Sequence, residues 1–211
     1  MRLARRSFVA GSAAALLDVG RATAADDLAE LLRRIGAARA AMRSLRCPFR
    51  QSRTISVLAT AVESRGTMTL VRPDRLRWDL LPPDNVTFWV GPEGLAYRSA
   101  HGHGAMQPST RSDLMAGLQD LRTLLGGDLA SLRARWTLRA LRDDSTGAEV
   151  EALARPPATA GLREIRFGLA PDLLRPRRAS LVQGAGDATD IEFGEATLDA
   201  PVDDAFMRPP L

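Results

Sequence analysis

The sequence predicts an α+β protein built on a large, strongly curved antiparallel β-sheet that α-helices cover on one side. Two observations support this prediction. Two segments repeat apolar residues at helical spacing, and about ten others alternate apolar and polar residues as β-strands do. Strands joined by short turns favour antiparallel pairing, and a sheet of about ten strands has to curl. Beneath helices, such a sheet encloses either a packed core or a cavity.

The two helices are predicted from their apolar periodicity and their end residues. The first lies in DDLAELLRRIGAARAAMRSL, with Asp26 or Asp27 as its N-cap and its arginines on the solvent face. The second lies in STRSDLMAGLQDLRTLLGGD, between Ser112 as a cap and Gly126-Gly127 as a stop, and a short helical turn follows. The apolar face of the first helix consists of Leu28, Leu31, Leu32, Ile35, Ala38 and Met42.

Five strands are predicted between the helices and about five after the second. In GTMTLVRPDRLRWDLLPP, residues 66–83, the alternation stops at Arg72-Pro73 and resumes at Leu76. Because proline cannot donate a hydrogen bond to a sheet ladder, we interpret this run as two strands joined by a tight turn. A second turn is predicted at GPEG within NVTFWVGPEGLAYRS.

The N-terminal segment, residues 1–24, has the layout of an export signal peptide. MRLARRSFVAGSAAALL places a basic head before an apolar stretch too short to span a bilayer, and A-x-A follows at Ala22-Thr23-Ala24. Arg5-Arg6 also fits a twin-arginine signal. The remainder, residues 25–211, is predicted to form one domain. Removing 1–24 leaves 29 − 4 = 25 basic and 25 − 1 = 24 acidic residues, which argues against a nucleic-acid partner.

The sequence predicts a binding protein and no enzyme, metal site or cofactor. No G-x-S-x-G, H-E-x-x-H, G-x-G-x-x-G or P-loop pattern is present, and the chain contains no lysine. His101 and His103 in HGHGAM have the alternate spacing of a metal pair, but the flanking glycines favour an exposed loop. Cys47 is the only cysteine, which excludes an intrachain disulfide and suggests a small buried apolar residue.

Residues 44–99 resemble the periplasmic outer-membrane lipoprotein carrier proteins of the LolA type. The ending FMRPP, residues 206–210, is similar to the closing motif of that family. Together with the export signal and the leading helix, the resemblance covers most of residues 25–211. The shared features of the first segment are Phe49-x-Gln51, a strand from Gly66 to Arg72-Pro73, then Arg77-Trp78, a proline pair, and a strand-turn-strand that ends at Tyr97.

The resemblance implies an unclosed half-barrel sheet under a lid of helices, with an apolar cavity between them. It implies a monomeric carrier in the periplasm that is not an integral membrane protein. The ligands would be the acyl chains of lipoproteins or related lipids. In this family an ATP-driven release complex of the inner membrane supplies the lipoprotein, and an outer-membrane receptor takes it. No catalytic residue and no cofactor is implied.

The resemblance also assigns candidate site residues. Arg72 matches the arginine that hydrogen-bonds to the lid helices and holds the cavity shut, and a guanidinium with five donors suits that role. The alternative is a solvated turn arginine beside Asp74. Candidate cavity residues, which could instead simply fill a core, are Leu31, Leu32, Ile35, Leu45, Phe49, Met68, Leu70, Leu76, Trp78, Phe88, Leu118 and Leu121.

Two other functions stay open at this stage. One is a lipid- or lipoprotein-sensing regulatory module of the RseB type, and the other is an exported hydrolase or metalloprotein that uses His101 and His103. The chain departs from the family in two places. It has Gly91-Pro92-Glu93-Gly94 where members usually have an Asp-Gly turn, and it ends at Leu211, directly after the proline pair. These departures leave open whether the usual receptor accepts it and whether its cargo is another lipid.

Overall fold

The fold consists of three helices and twelve strands within residues 15–55, 60–106, 113–126, 129–156 and 162–209, which a computed structural model describes. The helices are α1 (Ala15–Ala40), α2 (Asp113–Gly126) and α3 (Leu129–Leu132). The strands are β1 (Ser44–Ile55), β2 (Thr60–Val71), β3 (Arg75–Leu80), β4 (Val86–Gly91), β5 (Gly94–Ser99), β6 (Gly102–Met106), β7 (Trp136–Asp144), β8 (Gly147–Ala154), β9 (Leu162–Leu169), β10 (Pro176–Gln183), β11 (Ala188–Phe193) and β12 (Thr197–Leu198).

All strands belong to one antiparallel sheet in the order β6-β5-β4-β3-β2-β1-β11-β10-β9-β8-β7, and β12 pairs with β1. Two meanders, one on either side of α2 in the chain, therefore join where β1 pairs with β11. The large, unclosed antiparallel sheet of the prediction is confirmed. Residues 102–106 of HGHGAM, which was predicted as a loop, instead form the edge strand β6. Pairing with β5 stabilises this strand, although its own sequence lacks the alternation typical of a strand.

The sheet is curved around α2. This helix contacts both β4 and β9, which are six strand steps apart in the sheet. At about 4.8 Å per step they would be about 29 Å apart in a flat sheet, whereas a helix is only about 10–12 Å wide. The two meanders therefore bend towards each other and enclose α2 on their concave face.

The hydrophobic core lies between the concave face and the helices. In β1 the buried side chains of Leu45, Cys47 and Phe49 alternate with exposed neighbours, as the pleat of a strand requires. Leu31 and Ile35 of α1 are buried against this face, four residues apart on one side of the helix. Cys47 is buried as a small apolar residue, as the sequence predicted, and burial raises the pKa of its thiol to about 12.

Helix α1 differs from its prediction in two ways. It begins at Ala15 rather than after Asp26 or Asp27, because the preceding ALLDVGRATAA is itself rich in helix-favouring Ala and Leu. Its arginines do not all face solvent, since Arg39 is completely buried. The predicted signal peptide lies largely outside the described residues, and its removal stays a prediction. No helix in the described part of the chain combines the length and the hydrophobicity needed to cross a membrane.

Gly66 of β2 makes room for the aromatic centre of the core. The rings of Phe49 and Trp78, from the strands on either side of β2, have their centroids 4.0 Å apart. A Cβ atom on Gly66 would fall 2.5 Å from the Phe49 ring and 2.1 Å from the backbone oxygen of Asp79. Packing in the aromatic centre therefore requires a glycine at position 66, within β2.

We expect Gly66→Ala to lower the free energy of unfolding by about 2–3 kcal/mol, because the new methyl group overlaps an aromatic ring and a backbone oxygen. Urea denaturation would measure the change. Gly36→Ala in α1 is the matched control. Its Cβ meets nothing within 4 Å, so helix propensity alone should raise stability by about 0.5–1 kcal/mol. Equal effects of the two changes would contradict this account of the aromatic centre.

Candidate ligand pocket and the contacts that hold the helices

A pocket of about 440 Å³ lies between α2 and the concave face of the sheet. Its size falls within the roughly 300–1,000 Å³ that is typical of small-molecule sites. It is bordered by strands of both meanders, so it exists only because the sheet is curved. Its apolar lining consists of Trp78, Leu80, Phe88, Leu118, Leu121, Leu162, Leu181 and Ile191.

The polar residues of the pocket are gathered along one wall. Gln51 and Arg53 come from β1, and Gln183, Asp187 and Thr189 come from the end of β10 and the start of β11. In the β1–β11 register, Arg53 lies opposite Thr189, so these strands bring the polar groups together. The pocket thus has an apolar floor and one polar wall, an arrangement that suits a molecule with an apolar chain and a polar end.

Four of the twelve candidate cavity residues line this pocket: Trp78, Phe88, Leu118 and Leu121. The other eight belong to the core or pack against it and are absent from the described lining. Alternation reveals which face a side chain is on, but not where along the strand the packing leaves space. The eight core positions are Leu31, Leu32, Ile35, Leu45, Phe49, Met68, Leu70 and Leu76.

Sequence reasoning missed the lining residues of the second meander, above all Leu162, Leu181 and Ile191. The residues of β9–β11 alternate as clearly as those of β1–β3, but no motif marked them. Gly117 of α2 was also missed. A Cβ atom there would have only Leu162 at 4.0 Å, so this glycine leaves part of the pocket open.

Arg72 directly follows β2, in the β2–β3 turn, and reaches the C-terminal end of α1. Its Nη1 donates to the backbone oxygen of Arg39, which also accepts from the amide of Met42. The Arg72 amide donates to the backbone oxygen of Arg43 at 2.9 Å. The last carbonyl groups of a helix lack partners within it and carry the negative end of its dipole, so a cation is well placed there.

Arg39 is a second arginine of this kind, which the sequence did not reveal. Its side chain is 0% exposed. Its Nη1 donates to the backbone oxygen of Leu124 in the last turn of α2, and its Nε donates to that of Leu173 at 3.1 Å. Leu173 itself has the left-handed φ of 58°, which is unusual for a leucine. Helical spacing placed Arg39 beside the apolar Leu31 and Ile35, and this was the signal that could have indicated its burial.

The buried guanidinium of Arg39 is held at some cost. Desolvation, together with the nearby charge of Arg72, lowers its pKa to about 9, while Asp172 acts in the opposite direction. Its Nη2 has no hydrogen-bond partner among the described residues. Because an unpaired buried donor costs free energy, these contacts stabilise the observed helix positions less than a fully satisfied set would.

Arg122 of α2 is the third arginine that connects a helix to another element. Its Nη1 donates to the backbone oxygen of Asp74, in the turn between β2 and β3, at 2.9 Å. Arg39, Arg72 and Arg122 together therefore connect α1, α2, the β2–β3 turn and the β9–β10 turn, and we call these three residues the arginine clasp. All the acceptors are backbone carbonyl groups, so the clasp fixes helix positions without requiring particular side chains.

Asp120 lies on α2 beside the pocket residues Leu118 and Leu121 and is 1% exposed. Burial raises its pKa to about 6, although the ion pair with Arg135 opposes that rise. Its Oδ2 has no hydrogen-bond partner in the described part of the chain. Helix α2 therefore carries a buried carboxylate whose ionisation costs free energy.

The histidines do not form a recognisable metal site. His101 lies in the turn before β6, His103 lies opposite Arg98 in the β5–β6 pairing, and both are exposed. Within the described ranges, no group of three or more His, Cys, Asp or Glu side chains is placed to hold a metal ion.

The described residues form an open, curved antiparallel sheet around a helix, with a pocket between them. The chain belongs to the family described as outer membrane lipoprotein carrier protein LolA, whose model matches residues 40–208. The predicted resemblance is thereby confirmed. None of the curated proteins matches the chain in sequence.

Several solved structures share the fold at low sequence identity. A DUF1329 family protein from Desulfovibrio piger is 12% identical, with a TM-score of 0.51 over 85% of this chain and 95% of that one. An uncharacterized conserved protein from Thermus thermophilus is 9% identical, with a TM-score of 0.52 over 87% and 94%. A chain of the Pseudomonas aeruginosa MucA/MucB complex is 14% identical, with a TM-score of 0.50 over 87% of this chain but only 61% of that one. These similarities concern the fold alone.

We expect Asp120 to make the protein less stable as the pH rises from about 4 to about 6. Its pKa is raised on folding from 3.8 to about 6, so the folded state favours the protonated form, and that preference is lost once both states are ionised. The loss corresponds to about 3 kcal/mol. Asp120→Asn should remove this pH-dependent loss of stability. The measurement is the difference in unfolding free energy between wild type and variant, determined once at pH 4 and once at pH 7. Asp190→Asn, an exposed position of β11, is the control, and a pH-independent difference for Asp120→Asn would refute the assignment.

Proposed function

We propose that this protein is a periplasmic carrier that binds acyl chains of lipoproteins, or of related lipids, and shuttles them from the inner to the outer membrane. The observation that carries the proposal is the pocket beneath α2, with its apolar floor and polar wall. Membership of the lipoprotein carrier family supports it. Acyl chains would lie against Trp78, Phe88 and Leu181, with the polar end of the cargo near Gln51 and Arg53.

The apolar lining suits transient lipid binding on energetic grounds. Each methylene group removed from water contributes about 0.8 kcal/mol, so a short length of acyl chain suffices for tight binding. A carrier also has to release its cargo. The closed, empty state therefore needs stabilising contacts that compete with cargo, and the arginine clasp is the candidate for them.

The clasp fits the role of a reversible latch. A hydrogen bond that involves a charged group contributes a net of about 1.5–3 kcal/mol, which is large enough to favour closure and small enough to be offset by bound lipid. Arg72 bonds α1 to the β2–β3 turn, and Arg39 bonds α1 to α2. Moving α1 and α2 away from the sheet and from each other would break these two bonds and the bond from Arg122 to Asp74, while leaving the β-sheet intact.

A second candidate function is a lipid- or lipoprotein-sensing module of the RseB type. It is favoured by the similarity to a chain of the MucA/MucB complex, in which a protein of this fold is associated with a partner protein. This chain spans 61% of that relative, so the comparison does not include all of it. Co-purification of an inner-membrane partner, without transfer of lipid to an acceptor, would favour the sensor.

We expect the purified protein to form a one-to-one complex with a triacylated lipoprotein in detergent-free solution, and to bind the unacylated form far more weakly. Gly117→Met should weaken the complex by about tenfold, because the added side chain takes the place of roughly two methylene groups of cargo. Gly36→Met, the same change in α1 at a position with open space around it, should leave affinity unchanged. Native mass spectrometry and fluorescence titration would measure both. Equally poor binding of acylated and unacylated cargo would remove the carrier proposal.

We expect Arg72→Leu to accept cargo but to release it about ten- to a hundredfold more slowly, because the closed state loses a charged hydrogen bond to the end of α1. The measurement is stopped-flow transfer of a fluorescent fatty acid to acceptor vesicles. Arg133→Leu, an exposed arginine after α3, controls for the loss of one surface charge. Transfer by Arg72→Leu at the wild-type rate would reject the latch and leave the pocket itself untested by this result.

A further inference from the structure

A second cleft, of about 480 Å³, lies on the convex face of the sheet, and the proposed carrier function does not use it. The outward-facing residues of β1–β5 and the C-terminal segment form it. Because side chains alternate across a strand, the outward-facing residues lie on the opposite side of the sheet from the acyl pocket, and Leu80 at the end of β3 borders both spaces. The lining of the cleft includes Arg46, Arg77, Asp79, Leu81, Arg98 and Phe206.

Four residues of the cleft, together with the neighbouring Trp89, form a ladder in which guanidinium groups and aromatic rings alternate. The guanidinium carbon of Arg46 is 5.9 Å from the centre of the Phe206 ring, and that of Arg77 is 3.7 Å from the same centre. Arg77 and Arg98 in turn lie 5.1 Å and 5.7 Å from the ring of Trp89. All these distances are within the range of cation–π attraction. The order along the ladder is Arg46, Phe206, Arg77, Trp89 and Arg98.

The central arginine of the ladder is neutralised and has a structural role. Nε of Arg77 is 2.9 and 3.0 Å from the two carboxylate oxygens of Asp79, and Nη2 is 2.8 Å from Oδ1. Its Nη1 donates to the backbone oxygen of Phe206 at 2.7 Å, and Nε1 of Trp89 donates to the same oxygen at 3.3 Å. Arg77 therefore fixes the backbone at Phe206 against the sheet and positions the Phe206 ring in the cleft.

The two ends of the ladder differ from its centre. Arg46 and Arg98 are exposed, and neither has an acidic side chain within 4.0 Å among the described residues. Their contacts with the rings hold the guanidinium groups in place and leave N–H donors for a ligand. Three arginines and one aspartate line the cleft, which gives it a net charge of 3 − 1 = +2. Two positioned cations without a partner are suited to bind carboxylates.

We propose that this convex cleft is a docking site for an acidic, extended peptide segment of a partner protein, whose carboxylates pair with Arg46 and Arg98. The strands β1 and β5 that carry these arginines are four steps apart, which is about 19 Å across the sheet, or about six residues of extended chain. Leu81 of the lining is 43% exposed and offers an apolar contact to such a chain.

A peptide fits this surface better than a membrane does. The ladder is recessed, and the side chain of its central arginine is only 14% exposed. A bilayer surface meets protruding cations, whereas a single chain can enter a cleft and place individual carboxylates against planar guanidinium groups. Peptide binding at this cleft is separate from the proposed lipid binding, because it takes place on the opposite face of the sheet.

The test is fluorescence anisotropy of a labelled peptide with alternating glutamate and leucine, compared with a peptide in which glutamine replaces glutamate. We expect Arg46→Gln combined with Arg98→Gln to weaken binding of the acidic peptide by about tenfold or more, through loss of two charged contacts. Arg163→Gln combined with Arg177→Gln removes the same charge from exposed positions of β9 and β10 and should change affinity less than twofold. Raising the salt from roughly 0.05 to 0.5 M should weaken wild-type binding strongly.

Unchanged melting temperatures and unchanged fatty-acid binding in both double variants are part of the expected result, and they separate this proposal from the carrier function. Equal loss of peptide binding in the two double variants would overturn the proposed docking site, because the effect would then come from overall charge alone. Equal binding of the glutamine peptide would also overturn it. So would an interaction with vesicles of phosphatidylglycerol that depends on Arg46 and Arg98 in the absence of peptide binding.

Discussion

Hydrogen bonds from guanidinium groups to helix carbonyl groups determine how the helices lie on the sheet, and the pocket depends on that placement. Both long helices end with carbonyl groups that no helical amide can satisfy. Arg72 reaches the end of α1, and Arg39 reaches the last turn of α2. Because the acceptors are backbone groups, the contact is specific in position but tolerant of sequence. The buried Arg39, whose pKa desolvation lowers to about 9, makes this arrangement less stable than a fully satisfied one, as the proposed opening of the helices requires.

The curvature of the sheet gives the molecule two different faces, one concave and one convex. The concave face, with α2 above it, supplies apolar side chains from both meanders to the pocket that we propose binds acyl chains. The convex face presents the Arg–aromatic ladder, which the C-terminal segment completes through Phe206. Gly66 serves both faces, because the same missing side chain permits the stack of Phe49 on Trp78 and the close approach of the Asp79 backbone. Asp79 in turn holds Arg77 on the outer side.

Much of this architecture could be predicted from local patterns. Period-two alternation located most strands, and helical spacing located α1 and α2, because both patterns record which side of an element is buried. Features that depend on distant partners could not be predicted. Strand β6 has no alternation of its own and exists through pairing with β5. The burial of Arg39 depends on carbonyl groups of Leu124 and Leu173, which are far away in sequence. For the same reason, eight of the candidate cavity residues lie outside the described pocket lining, while lining residues of β9–β11 carried no motif.

The most direct test of acyl binding beneath α2 is methyl NMR of the protein with a spin-labelled fatty acid. The account predicts selective line broadening for the methyl groups of Leu121, Leu162, Leu181 and Ile191, which face the pocket from α2 and from three strands. The exposed Leu141 and Val62 should be unaffected. Broadening at those two exposed residues with none in the pocket would contradict the account, because it would place the lipid outside the space that the sheet and α2 enclose.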